Sequence, residues 1–181
     1  RQMCIRDRAS RGIGLAIANQ FLREKAKTCI VSRGSNALFK NEQELQKMYR
    51  PDNIFALKSD CTDVLSLEAL REEVESKWGE LDVLIVNVGD GRSVSDGLPG
   101  NDDWQRTWNN NFESALKTAR TFLPMLKKSH GVLLFVSSIA GLEAFGAPTD
   151  YSTAKMAIIA LAKNMARKFA PNIRVNVIAP G

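Results

Sequence analysis

The chain has 181 residues, 44% hydrophobic and 25% charged, the balance of a globular protein able to bury a sizeable core. No run approaches the roughly 18 consecutive apolar residues of a membrane span and no secretory leader is recognisable, so no membrane partner and a cytoplasmic location are expected. The net charge of +5 is scattered over Arg1, Arg6, Arg8 and amphipathic patterns carrying Arg120, Lys127, Lys128, Lys163, Arg167 and Lys168, which argues against a nucleic-acid partner. Cys4, Cys29 and Cys61 stand far apart, a spacing that favours buried reduced thiols over a disulfide framework or a metal site.

In chain order, the first feature is a mismatch. Residues 1–8, RQMCIRDR, precede the glycine-rich stretch Ala9-Ser10-Arg11-Gly12-Ile13-Gly14. Such a turn normally leaves a buried apolar strand and opens a helix whose free N–H groups and dipole favour an anion. Charged residues buried unpaired in a central strand are costly. The strand is therefore expected to be missing, and residues 1–8 to be non-native. Met3-Cys4-Ile5-Arg6-Asp7 back-translates to a sequence that resembles a transposon end used to tag sequencing libraries.

Further along, apolar runs at 28–32, 53–58, 81–87, 131–138 and 173–179 have the Val/Ile/Leu content of strands buried on both faces. Helical patterns fill 13–25, 36–48, 64–78, 103–128 and 150–169. Asp63 is placed to cap the third helix and Gly79 to end it. Asp102 or Asp103 is placed to cap the long helix from Trp104, and Pro124 to kink it or break its ladder. The alternation predicts an α/β fold, a doubly wound parallel sheet whose ligands bind at the carboxyl ends of the strands.

The residues at those ends carry chemistry. After the second strand, Ser32-Arg33 offers a cation where an acidic residue would accept from a ribose 2′-hydroxyl. Arg33, with Arg11 in the turn, suits a 2′-phosphate, which predicts NADP(H) over NAD(H), solvated arginines being the alternative. In Tyr151-Ser152-Thr153-Ala154-Lys155 a phenol and an ammonium share one helical face at i and i+4. A neighbouring cation favours a phenolate and suits acid/base work near neutral pH. That pair alone is also an ordinary surface pair. Ser138, 13 residues earlier at a strand exit, adds a hydroxyl able to hold a carbonyl oxygen.

With Ser138, Tyr151 and Lys155 in register, residues 9–181 resemble the classical short-chain dehydrogenase/reductase family, in the layout of its 3-oxoacyl-carrier-protein reductases. The resemblance implies a Rossmann-like domain in which Tyr151 donates a proton to a carbonyl oxygen and Lys155 holds the ribose hydroxyls. Ser138 orients the carbonyl, and Asn111 in "WQRTWNNNFES" supports a water path, with Asn110 the neighbouring candidate. Ser10, Arg11, Gly12, Ile13 and Gly14 fall on the pyrophosphate turn, Asp60 and Cys61 on the adenine contact, and Pro180 and Gly181 beside the nicotinamide. Asn87 and Gly89, in Val86-Asn87-Val88-Gly89, half match the family's Asn-Asn-Ala-Gly strand end. Asp7 and Arg8 depart from it, standing where the family has Thr and its first Gly.

The implied activity is NADPH-dependent reduction of a ketone, or oxidation of a secondary alcohol, on a small-molecule substrate. Val94, Leu98, Pro99, Leu142, Glu143 and Phe145 are expected to border that substrate. A homodimer or homotetramer is implied for the intact parent, through helical faces bearing Leu116, Phe122, Met156, Ile159 and Leu161. The fold is expected to be incomplete at both ends, lacking the first strand and the substrate-covering region beyond Gly181, so that the chain as written is only partly folded and inactive. A nucleotide-binding sensor on the same fold and an inactive fragment are the alternative functions.

Overall fold

A computed structural model describes residues 3–6, by their backbone, together with 12–90, 97–144 and 146–181. Among the described residues there are six strands: β1 Met3–Arg6, β2 Lys27–Ser32, β3 Ile54–Lys58, β4 Val83–Val86, β5 Val132–Val136 and β6 Arg174–Ile178. All pair in parallel in the order β3-β2-β1-β4-β5-β6. The helices are α1 Ile13–Arg23, α2 Asn36–Met48, α3 Val64–Trp78, α4 Asn101–Trp108, α5 Ser114–Ser129 and α6 Thr149–Phe169.

The pleat assigns each strand residue to one of two helical layers. Cys29 and Val31 of β2, with Leu84 and Val86 of β4, pack with Leu67 and Leu70 of α3, Phe122 of α5 and Ile158 of α6. Ile30 between them packs with Ala18 and Leu22 of α1 and Leu38 and Leu45 of α2, and Ile85 packs with Ile17 and Phe21. Continuous apolar runs are what a sheet covered on both faces requires.

The first strand, expected to be missing, is present. Met3–Arg6 lies between β2 and β4, with Cys4 paired to Thr28 and Val83, and Ile5 to Cys29 and Leu84. Only four of residues 1–8 enter the strand, and Met3, Cys4 and Ile5 are apolar, which leaves Arg6 as its single charge. Arg1, Asp7 and Arg8 lie outside the described residues.

Asp63 caps α3 as expected, its Oδ1 accepting from Leu65 N at 3.2 Å, and Gly79 closes that helix at φ 78°. The long helix differs from expectation. It begins at Asn101 after Gly100, with no side-chain cap, and Asp102 and Asp103 sit in the first turn, where the helix dipole favours carboxylates. Pro124 lies inside α5, which continues to Ser129; the interruption falls earlier, in a π-helical turn over Asn109–Glu113. Pro124 removes one ladder bond, whereas the π turn shifts the ladder by a residue.

Two helices end on a left-handed residue other than glycine. Lys25 at the end of α1 has φ 62°, with Lys25 N donating to Leu22 O at 2.9 Å and Ala26 N to Phe21 O at 3.0 Å. His130 plays the same part after α5 at φ 52°. An L-residue in this left-handed conformation costs about 1–2 kcal/mol, which glycine avoids. At the β3 edge, Glu42 of α2 accepts from Ala56 N at 2.8 Å.

Candidate active site

β1 is flanked by β2 on one side and β4 on the other, so the connections diverge at its exit and leave a crevice there. Gly12, at φ 62° and ψ −144°, is the N-cap of α1, and Gly14 is buried in its first turn. Ile13 is exposed beside them. Ser10 and Arg11 lie outside the described residues. At the neighbouring exits, Arg33, Asp60, Cys61, Val88, Gly89 and Asn110 line one cleft. Cys61 is buried and Arg33 exposed. Burial alone would raise the Asp60 pKa, but hydrogen bonds from Thr62 N at 2.9 Å and Thr62 Oγ1 at 2.8 Å, with Arg33 and Lys117 nearby, hold it below the ordinary aspartate value. Lys117 also ties α5 to this loop by donating to Thr62 O at 2.9 Å.

The second half of the site is built around Lys155. Its side chain is buried on α6, with Nζ donating to Val88 O at 3.0 Å and lying 5.7 Å from the Tyr151 ring centroid. Asn111, in the π turn, is wholly buried. Its Oδ1 accepts from Asp90 N at 3.0 Å, and its Nδ2 donates to Asp90 O at 3.1 Å and to Thr107 O at 3.0 Å. Gly89, at φ 145°, lies where these groups meet: a Cβ there would come within 2.6 Å of both Asn111 Oδ1 and Lys155 Nζ. Asn87 stands at the same strand exit.

Ser138 ends the β5 segment, its Oγ accepting from Ala140 N at 3.2 Å. The short helical turn Ile139–Gly141 lies directly on α6, where a Cβ at Gly141 would stand 2.8 Å from Lys155 C and Met156 N. Ser137, which the sequence reading did not single out, is buried and donates to Lys155 O at 2.7 Å. Pro180 O accepts from Ile139 N at 2.8 Å, which brings Pro180 and Gly181 alongside this segment. Ser138, Tyr151, Lys155, Asn111, Gly89 and Pro180 thus come from distant stretches to the carboxyl ends of β4, β5 and β6. Tyr151 N donates to the buried Asp150 carboxylate at 2.8 Å.

The neighbouring asparagines separate: Asn111 braces the Asp90 loop, while Asn110 faces the Arg33–Asp60 cleft and accepts from Ser114 Oγ at 2.9 Å through its carbonyl. The helical faces also need correction, since Phe122 and Ile159 are core residues rather than surface ones. Leu116 and Leu161 are half-buried and Met156 is 48% exposed. Of the loop residues, Leu98 and Leu142 are exposed, Pro99 is buried, and Val94 and Phe145 lie outside the described residues. Among the described residues no cluster of His, Cys, Asp and Glu could hold a metal ion, and no helix is long and apolar enough to cross a membrane.

A family model described as short chain dehydrogenase matches residues 8–181. The chain is 31% identical over 175 residues to the Escherichia coli K12 3-oxoacyl-[acyl-carrier-protein] reductase FabG, covering 96% of this chain and 70% of that protein. It is 29% identical over 174 residues to the Mycobacterium avium reductase MabA, covering 95% of this chain and 63% of that one. Among solved structures, a short-chain dehydrogenase/reductase of unknown function from Caenorhabditis elegans, with cofactor, is similar over 99% of this chain and 69% of its own, at TM-score 0.90 and 26% identity. The Pseudomonas aeruginosa RhlG/NADP active-site complex is similar over 99% and 72%, at TM-score 0.92 and 25% identity.

Two outcomes follow from the packing. Gly141→Ala forces a methyl group against the backbone of α6 and should cost about 1–3 kcal/mol, read as a lowered urea midpoint; an unchanged midpoint would show that the contact is not tight. The lowered Asp60 pKa contributes stability that is fully present above about pH 4, the unfolded aspartate value, and is lost as pH falls through the lower folded value. Asp60→Asn should therefore be less stable than the parent at pH 7, with the gap narrowing as pH falls below the unfolded aspartate value of about 4. Urea titrations at a series of pH values would read this, and a gap independent of pH would contradict it.

Proposed function

The chain belongs to the short-chain dehydrogenase family and is an NAD(P)-dependent oxidoreductase, and from that premise we propose that it interconverts a ketone and a secondary alcohol with NADP(H). The observation that carries this reading is the convergence of Lys155 Nζ and Asn111 Oδ1 over Gly89, with the Tyr151 ring centroid 5.7 Å from that ammonium.

The residues fit a dinucleotide. Gly89 lets Lys155 Nζ and Asn111 Oδ1 approach the backbone where a Cβ would collide with them, Gly12 opens α1 with its N–H groups uncapped, and Arg33 and Asp60 face one cleft. Gly12, Ile13 and Gly14 would hold the pyrophosphate, Asp60 and Cys61 the adenine end, and Asn87, Gly89, Pro180 and Gly181 the nicotinamide end. When bound, the nicotinamide supplies or accepts the hydride.

In the reductive direction Tyr151 gives its phenolic proton to the carbonyl oxygen, and Ser138 Oγ donates to the same oxygen to fix its position. Lys155 provides positive charge beside the phenol and a donor for the ribose hydroxyls. Asn111 fixes the 87–90 loop at the inner end of the site and supports the path by which the proton is replaced. Arg33 supports NADP(H) because a guanidinium matches a 2′-phosphate where a carboxylate would match a 2′-hydroxyl. A 3-oxoacyl thioester is the substrate class that the reductases FabG and MabA bring to this reading. Half-exposed Met156, with Leu116 and Leu161, supports a homo-oligomeric contact through α5 and α6.

Tyr151→Phe should lower NADPH consumption with a ketone panel by roughly 10²–10⁴-fold while cofactor affinity, followed by nicotinamide fluorescence, is retained. Turnover close to the parent's would remove Tyr151 from the role of proton donor, and binding without turnover in the parent would favour a sensor. Arg33→Glu should move the NADPH-to-NADH preference by on the order of tenfold or more towards NADH; an unchanged ratio would leave Arg33 outside the cofactor site.

A further inference from the structure

The end of the sheet opposite the strand exits carries a second cleft. The last turn of α1, the start of β2 and the segment from α2 to β3 enclose about 640 Å³ there, within the range of small-molecule sites. Its walls carry four cations, Arg23, Lys25, Lys27 and Arg50, and no carboxylate. None of the four is ion-paired with another described residue. We propose that this cleft binds a small molecule bearing a di- or triphosphate group, at a site separate from the nucleotide crevice.

The backbone at Lys25 is the second, independent observation. Its φ of 62° is the conformation that glycine adopts without penalty at a helix end, and the closing hydrogen bonds of α1 use only backbone atoms. What lysine adds there over glycine is an ammonium in the wall of the cleft, and a strained residue in a site is a pointer to use. Lysines and arginines that line one cleft repel one another until an anion joins them, and both side chains suit phosphate.

The rest of the wall fits the body of such a ligand. Tyr49 is fixed by its Oη donating to Asn19 Oδ1 at 2.7 Å, so its ring forms a rigid flat surface, and Leu22 adds apolar contact. Acidic groups nearby are turned to other work. Glu24 accepts from Gln20 at 3.3 Å, and Glu42 and Asp52 line the adjoining cleft on the far side of Lys27. A concave, ring-walled site favours a small phosphorylated molecule over an acidic protein segment, which a flat basic patch would suit better.

The proposal does not depend on the oxidoreductase reading. Inorganic tripolyphosphate would be titrated calorimetrically into the full chain, both as it stands and with Arg33→Glu, which removes a cation from the nucleotide crevice. Binding should persist, weaken at least fivefold in Lys25→Gly and in Arg50→Gln, and stay unchanged in Lys163→Gln, an exposed lysine on α6 that controls for net charge. Lys25→Gly should at the same time raise Tm, because glycine relieves the left-handed backbone, so its weaker binding is not a folding defect. Absence of binding in the parent, loss of all binding in Arg33→Glu, or equal binding by Lys25→Gly would overturn the proposal. Hexaglutamate binding that needs Lys25 while tripolyphosphate does not bind would overturn the ligand class.

Discussion

A buried ammonium must be solvated by the protein itself, and Lys155 meets that demand from the sheet. With 4% exposure, it takes the carbonyl of Val88 at 3.0 Å and that of Val136 at 3.5 Å, one beyond the end of β4 and one at the end of β5. Two adjacent strands therefore fix the depth of α6. Ser137 fixes the same residue from behind through its carbonyl, and Gly141 permits a close backbone approach. Tyr151, one turn away, takes its position from this arrangement. The glycines of this region are set by the volume that the lysine and its helix occupy, not by local turns alone.

The π turn is the counterpart on the other wall. By carrying one residue more than an α-helical turn, it turns Asn111 inward, where the side-chain amide pairs with both the N–H and the carbonyl of Asp90. A side chain thereby does for the 87–90 loop what a neighbouring strand does for β4. The cost of interrupting a helix is offset by hydrogen bonds that hold a loop the sheet itself cannot reach.

The strands were legible because burial on both faces leaves an unmistakable composition, and α3 because Asp63 and Gly79 mark its ends by side chain and by backbone. Ser138, Tyr151 and Lys155 were legible as a spacing, which survives whatever lies between. Features that depend on hydrogen-bond registry were not. Nothing in "WNNNFE" announces a π turn or tells Asn110 from Asn111, because both are asparagines on one helix. Lys25 and His130 end helices in a conformation that sequence reading assigns to glycine. The first strand was hidden because only four residues form it, one of them Arg6, amid a charged stretch. Ser137 was passed over because its work is done through a hydroxyl on a helical carbonyl, which no spacing reveals.

The hydrogen bond from Ala56 N to Glu42 has a consequence beyond the monomer. β3 is an outer strand of the sheet, and an outer strand is a template for another chain wherever its amides remain available. Here one of those amides is already committed to a carboxylate at 2.8 Å, carried by a helix and not by the strand. An incoming strand would have to displace that carboxylate and leave a negative charge in the seam. The safeguard against fibrillar growth along this border therefore resides in α2, so the strand itself can keep an apolar sequence suited to its core.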